Sequence, residues 1–417
     1  MKARNTERLT LAGLIMIRNL WRVRLVPTGI CLVPCILFAF GCGGSTKMVK
    51  PEPTPAARPN NSPLAANGYI GNTLSTWIDR TQTFGDSFMP AAAEDCGLIY
   101  DPLQNRIVLF GGKRDDDQNV NEVWVLNLAE NTWQQIAVAG ASPPASEDHT
   151  AIYDPVSHRM ILYGGENGPA WNNLWSFDLK DNFWRDMTDS TGPAREDHTA
   201  IFDSRRQRMV IFGGRDNYFD NLNDIWELNL DPASATFEKW QKATVEEPYP
   251  PGRADHVAVY DSLKNRMVVY GGWNRDQKEY LDDTWAFYFP QTADTIGFWK
   301  HIKTKKSRPP RRRHSVGAYD SARNWFIICG GFGEEGYLND VWAFDLNTDV
   351  WINITPGPQP RIDHQAVYDP INHRLILYGG DARLSAKFHD LWELQIQPDM
   401  SFDQIKKEAG AIVKKSP

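Results

Sequence analysis

The chain has 417 residues, 41% hydrophobic and 12% aromatic, enough for one large packed domain with extra segments. Its formal net charge of -7 argues against general nucleic-acid binding, which needs a basic surface. Five cysteines, with no CxxC pair and no His-rich zinc spacing, argue against both a disulfide framework and a structural zinc module.

The N-terminal segment reads as a leader. Arg18, Arg22 and Arg24 precede an apolar stretch from Leu25 to Phe40 that ends Ala39-Phe40-Gly41-Cys42. A basic region, a short greasy core and small residues before a cut describe an export signal. Pro27 and Pro34 interrupt the core, which is short for a membrane span. The ending resembles a bacterial lipobox, with Phe40 bulkier than that pattern prefers. The resemblance implies a signal over 1–41 and Cys42 as the lipidated first residue of the mature chain. An ordinary cleaved signal or an uncleaved anchor is the alternative, and Met16 is an alternative start. Residues 42–72 carry Pro51, Pro53, Pro55, Pro59 and Pro63 among Ala, Asn and Ser, a composition suited to an extended tether. The expected location is the cell envelope, anchored to a bacterial membrane by lipid alone.

From about residue 73 to 397 the chain repeats itself. Six glycine pairs begin at Gly111, Gly164, Gly213, Gly271, Gly330 and Gly379, with spacings of 53, 49, 58, 59 and 49 residues. About a dozen residues after each comes a tryptophan: Trp124, Trp175, Trp226, Trp285, Trp342 and Trp392. Within a unit four short strands recur. One ends Tyr-Asp or Phe-Asp, as in Ala151-Ile152-Tyr153-Asp154. The next opens with Arg and runs apolar into the glycines, as in Arg159-Met160-Ile161-Leu162-Tyr163. Continuous apolar runs fit strands buried on both faces. The third strand carries the spaced tryptophan, and the fourth carries another, such as Trp133, Trp184 or Trp351.

The glycine pair, the spaced tryptophans and the Tyr-Asp turn resemble the kelch motif. That resemblance implies an all-β, six-bladed β-propeller with four antiparallel strands per blade. The sixth unit lacks a good fourth strand, and Leu74-Ser75-Thr76-Trp77-Ile78-Asp79 looks like one, so an N-terminal strand is expected to close the last blade. Residues 398–417 are expected to form a tail with a short helix. The expected state is a monomer without cofactor or bound metal.

Loops between strands two and three, and from four to the next one, are long and irregular, so ligand contacts are expected on their face. There the entry to strand one reads Glu94-Asp95-Cys96, Glu147-Asp148-His149, Glu196-Asp197-His198, Ala254-Asp255-His256, Arg312-Arg313-His314 and Ile362-Asp363-His364. Aligned so, five aspartates and five histidines ring the channel mouth, His is replaced by Cys96 in the first unit, and Asp by Arg313 in the fifth. A metal site or acid–base pair competes with a structural role repeated in every blade. The ligand candidates are Arg195, Arg253, Arg311, Arg313 and Arg361 together with the loop aromatics Trp171, Tyr218, Trp273 and Tyr337. No GxSxG, HExxH or P-loop is present. The leading expectation is a non-catalytic module recognising a protein or glycan. The alternative comes from the resemblance, since six-bladed kelch rings include sialic-acid mutarotases. It would use Glu147, Glu196 and Arg195 for acid–base and carboxylate-binding roles.

Overall fold

The computed structural model describes residues 69–71, 75–81, 89–91, 94–291, 295–304, 308–382, 387–396 and 404. The expected signal, Cys42, most of the tether and nearly all of the C-terminal tail lie outside these residues. Six blade sheets, antiparallel through their four main strands, follow one another along the chain, and Trp273–Asn274 with Glu279–Tyr280 forms a separate two-stranded ribbon. In the first blade the strands run Gly97–Asp101, Arg106–Phe110, Val123–Asn127 and Thr132–Ile136, each paired with the next. The innermost strands of successive blades lie side by side, and that of the sixth, Gln365–Asp369, meets Gly97–Asp101 of the first. The ring is therefore closed.

Local chemistry explains the repeated signature. The aspartate that ends strand one is buried and accepts from the arginine that opens strand two, at 2.9 Å for Asp101–Arg106, Asp154–Arg159 and Asp261–Arg266. In the third and fifth blades Arg206 and Arg323 in the turn take this part, at 2.6 and 2.7 Å. The turn itself is capped by the same carboxylate, as in Val156 N–H to Asp154 Oδ1 at 2.9 Å. Strand two is apolar and buried because sheets pack on both its faces. Ile107, Val108, Leu109 and Phe110 are all within 2% of full burial.

The sixth blade closes as expected. Ser75–Asp79 pairs antiparallel with Leu391–Ile396, with Trp77 opposite Leu394. Trp77 is fully buried in a cluster that includes Trp325, Ile327, Ile352 and Ile396, so the closing strand joins the core between fifth and sixth blades. Two features exceed the four-strand pattern. Tyr69–Gly71, within the segment expected as tether, adds a fifth outer strand against Ser75–Asp79. In the fourth blade Val245–Glu246 adds an outer strand parallel to Gly297–His301.

A symmetric frame around an asymmetric mouth

The arginines before strand one belong to the frame. Arg195, Arg253, Arg312 and Arg361 are all within 1% of full burial. Each Nη1 donates to the carbonyl of the first glycine of a pair exactly eighteen positions on, those of Gly213, Gly271, Gly330 and Gly379, at 2.8–2.9 Å. Each also grips an aspartate, namely Asp224, Asp283, Asp340 or Asp390. The same carboxylate accepts the indole N–H of the following tryptophan, Trp226, Trp285, Trp342 or Trp392, at 2.7–2.9 Å. This clamp satisfies the buried charge and fixes the blade's loop. Arg195, Arg253 and Arg361 are thus not ligand contacts, because nothing outside the protein reaches them. Arg195 likewise cannot hold a substrate carboxylate.

The fifth unit requires a further correction. Its clamp is Arg312, so the triplet there is Arg313-His314-Ser315 and not Arg312-Arg313-His314. The backbone agrees: Asp95, Asp148, Asp197, Asp255, His314 and Asp363 are the equivalent residues, all with φ between 52° and 56°. His314 therefore replaces the ring aspartate, and Ser315 the histidine. The remaining histidines line the axial cavity one position beyond the mouth. His149, His198, His256 and His364 are buried behind it. A Cβ on Gly165, which has φ of +85°, would come within 2.5 Å of the Glu147 carbonyl oxygen and 2.8 Å of His149 Cβ. The glycine pair exists to let this wall close.

The entry to a cavity of about 240 Å³, which runs along the start of all six inner strands, is a ring of five aspartates and one histidine. Backbone bonds link parts of it: Asp95 N–H to Asp363 O, Asp255 N–H to Asp197 O and His314 N–H to Asp255 O, at 3.0–3.1 Å. His314 Nδ1 lies 2.7 Å from Asp363 and its Nε2 3.7 Å from Asp255. Against the cost of burial, these two carboxylates push the imidazole up to about 9, so it is a cation at neutral pH. Asp255 is held low despite burial, chiefly by His314 and Arg215. Arg215 also pairs with Asp197 and Glu196. Asp95 and Asp148 have no such cation beside them, and burial with neighbouring carboxylates drives both well above the usual range.

A second ring lies one residue earlier in each entry segment. Glu94, Glu196, Ala254, Arg313 and Ile362 are bridged to Lys113, Arg215, Trp273, Phe332 and Asp381, the residues just after the glycine pairs. Glu147 pairs likewise with Glu166. This ring is not symmetric. The first three blades present Glu94, Glu147 and Glu196, with Lys113 Nζ 2.5 Å from Glu147 and Lys387 Nζ 3.3 Å from Glu94. Burial raises Glu94 to about 7 and Glu196 to about 8. The fourth and fifth blades present Arg313, whose guanidinium sits 5.4 Å from the Trp273 ring and 5.7 Å from Tyr280. Tyr280, Phe332 and Tyr337 continue the aromatic wall, with centroids 6.0 and 5.2 Å apart.

The other candidates scatter. Arg311 is half exposed on the rim, 3.0 Å from Glu279. Tyr218 is 81% exposed at a loop tip. Trp171 is half buried, lining a small recess with Pro143 and Pro144. Glu94, Asp95 and Glu147 bring carboxylate oxygens within 4.8 Å of one another, the one grouping among the described residues able to hold a metal ion.

Comparison with known proteins places this architecture. The KLHDC2/KLHL20/DRC7 Kelch-repeats domain model matches residues 60–231, 155–357 and 233–397. The chain is 25% identical over 342 residues to Tip elongation aberrant protein 1 of Schizosaccharomyces pombe, covering 80% of this chain and 28% of that protein. It is 30% identical over 325 residues to Putative adagio-like protein 2 of Oryza sativa, covering 73% and 40%. For human Host cell factor 1 the figures are 26% over 339 residues, 71% and 16%. The chain thus spans less than half the length of these relatives. The solved structure titled "Structure of YjhT" has a TM-score of 0.57 at 13% identity, covering 73% of this chain and 95% of that one, a likeness of fold alone.

Proposed function

The chain belongs to the kelch-repeat family, and from that premise we propose that it is a recognition module whose loop-face mouth binds a protein partner. The observation that carries this reading is the asymmetry of the mouth. Packing requires the clamp in blade after blade, but it does not require an acidic arc on three blades facing an arginine caged by aromatics on two others. Such a surface suits a partner that offers an acidic group to Arg313 and a basic one to the Glu94–Glu147–Glu196 side. The aromatics beside Arg313 supply rigid contact area of the kind that anchors interfaces. In this reading the ring is exported and held at a bacterial membrane by a lipid on Cys42, with the Pro-rich segment as its tether. The mutarotase alternative retains Glu147 and Glu196 but loses Arg195 to the frame.

A photo-crosslinking residue at Tyr337, compared with one at Ile371 on the opposite face, tests the proposal. Specific protein adducts from Tyr337 that disappear on Arg313→Glu support it. Adducts that favour Ile371 overturn it, as does anomer exchange of an acidic sugar that depends on Glu196.

A further inference from the structure

We infer that the face opposite the mouth is the docking surface of the chain's own C-terminal segment, residues 398–413, laid as an amphipathic helix over the aliphatic turns of the sixth, first and second blades. In every blade the turn between the first two strands follows a buried aspartate, and the residue two places on forms its tip. That aspartate accepts the tip N–H in five blades, at 2.9–3.1 Å for Leu103, Val156, Arg205, Ala322 and Ile371. Leu263 fills the same slot in the fourth. The capped turn needs nothing apolar there, since Arg205 and Ala322 occupy the position equally well, and turn chemistry favours polar residues. Yet Leu103, Val156, Leu263 and Ile371 are all exposed, by between 43% and 70%. Three of them stand on consecutive turns. The innermost strands Gln365–Asp369 and Gly97–Asp101 are neighbours, which sets Ile371 beside Leu103, and His158 of the next turn reaches Asp101 at 3.0 Å, which brings Val156 alongside.

The last strand names the occupant. Ile396 pairs with Ser75 and Gln395 with Arg374, so the third strand of the sixth blade runs out on this face, next to the turn that carries Ile371. A recess of about 450 Å³ between Ser75, His373, Arg374 and Ile396 opens at that exit. The sequence that follows sets Phe402, Ile405, Ala409 and Ile412 at helical spacing, one apolar stripe, and Gln404 among them is helical. A helix over 398–413 reaches about 24 Å, so the segment can cross from the sixth blade to the turns beside it. Its stripe would cover aliphatic surface that the frame leaves in water, the main driving force for such a contact.

The test places a photo-crosslinking residue at Leu103 of the full-length chain. The expected product is intrachain, and digestion maps it to residues 398–413, which sets it apart from the partner adducts scored for the mouth. Trypsin supplies a second measurement. Cleavage after Lys406 and Lys407 should run at least tenfold faster in the double variant Leu103→Ala/Ile371→Ala than in wild type. The turn already accepts alanine at this slot, as Ala322 shows, so the ring stays folded. Phe402→Ser should speed the same cleavage without any change to the ring itself. Equal cleavage in wild type and variants overturns the docking, as does a Leu103 crosslinker that yields no intrachain product. Crosslinks between two copies, to another protein or to lipid also overturn it, since the face then serves a different occupant.

Discussion

Thr150 Oγ1 of the second blade lies 2.8 Å from His198 Nε2 of the third. The bond repeats between Thr199 and His256, also at 2.8 Å, so neighbouring blades are stitched by hydroxyl and imidazole. The stitch fails where the hydroxyl is missing. Gly97 stands in the equivalent place before His149, and Val316 before His364, and the Nε2 of each of these histidines has no partner.

Val316→Thr should restore the missing bond, since threonine matches valine in shape at this buried position. A gain of about 1 kcal/mol is expected, visible as a rise in Tm of roughly 2 °C. The converse change, Thr150→Val, should lose a comparable amount. Urea denaturation of the two variants checks both signs.

Closure by Trp77 is a stability claim. Trp77→Ala should cost about 3–5 kcal/mol, because a fully buried side chain leaves a cavity between two blades. Hydrogen exchange should rise first in Ser75–Asp79 and its partner Leu391–Ile396. Equal protection in wild type and variant would contradict the closing role.

Two arginines separate frame from mouth. Arg253→Ala breaks a buried pair with Asp283 and the bond to Gly271, and should cost about 3–5 kcal/mol. Arg313→Ala removes a half-buried side chain that stands over the aromatic cage and acts on Asp255 and His314 with opposite signs, and should change stability by less than about 1 kcal/mol. Its effect belongs in partner binding. Chemical denaturation of both distinguishes the roles.

Acid should weaken the fold through its histidines. Burial lowers His149 to about 4 and His256 and His364 to about 3, while the unfolded chain titrates near 6.5. A depressed folded pKa means their contribution is fully present above about 6.5 and is lost as pH falls toward 3–4. Tm should drop between pH 7 and 5, with a shallower slope in His256→Gln.

The ring aspartates have the opposite sign. Asp197 is raised to about 7 by burial and by Asp255, and burial with Asp197 and Asp95 raises Asp148 well above the usual carboxylate range. Their neutral forms favour the folded state, so that contribution is present below about 4 and fades as pH climbs through the raised value. In chelated buffer, the Tm of Asp148→Asn relative to wild type should therefore increase from pH 5 to 8.5. A constant difference would argue against the shift.

The frame was legible in the sequence because packing repeats it: glycine pairs, tryptophans and Tyr-Asp turns recur wherever a blade must meet its neighbour. The closing strand was legible for the same reason, since Thr76-Trp77-Ile78 matches Thr132-Trp133-Gln134 in pattern. The site was less so. Arg311-Arg312-Arg313 offers three arginines, and matching His314 to the other histidines by identity displaced the register by one. The eighteen-residue step to the glycine pair would have selected Arg312. Whether an arginine serves frame or mouth depends on which side of the backbone it leaves, which a single sequence does not display. Tyr69–Gly71 escaped notice because an outermost strand is short and has little to bury.

The outer pairing of the sixth blade also has a mechanical meaning. Chain before Tyr69 and chain after Ile396 depart from the same blade, so a pull on the leading segment falls on the Tyr69–Gly71 ladder and then on Ser75–Asp79. Load would peel this latch before straining the other five blades, making the seam a fuse whose rupture force sets how hard the whole ring can be tugged.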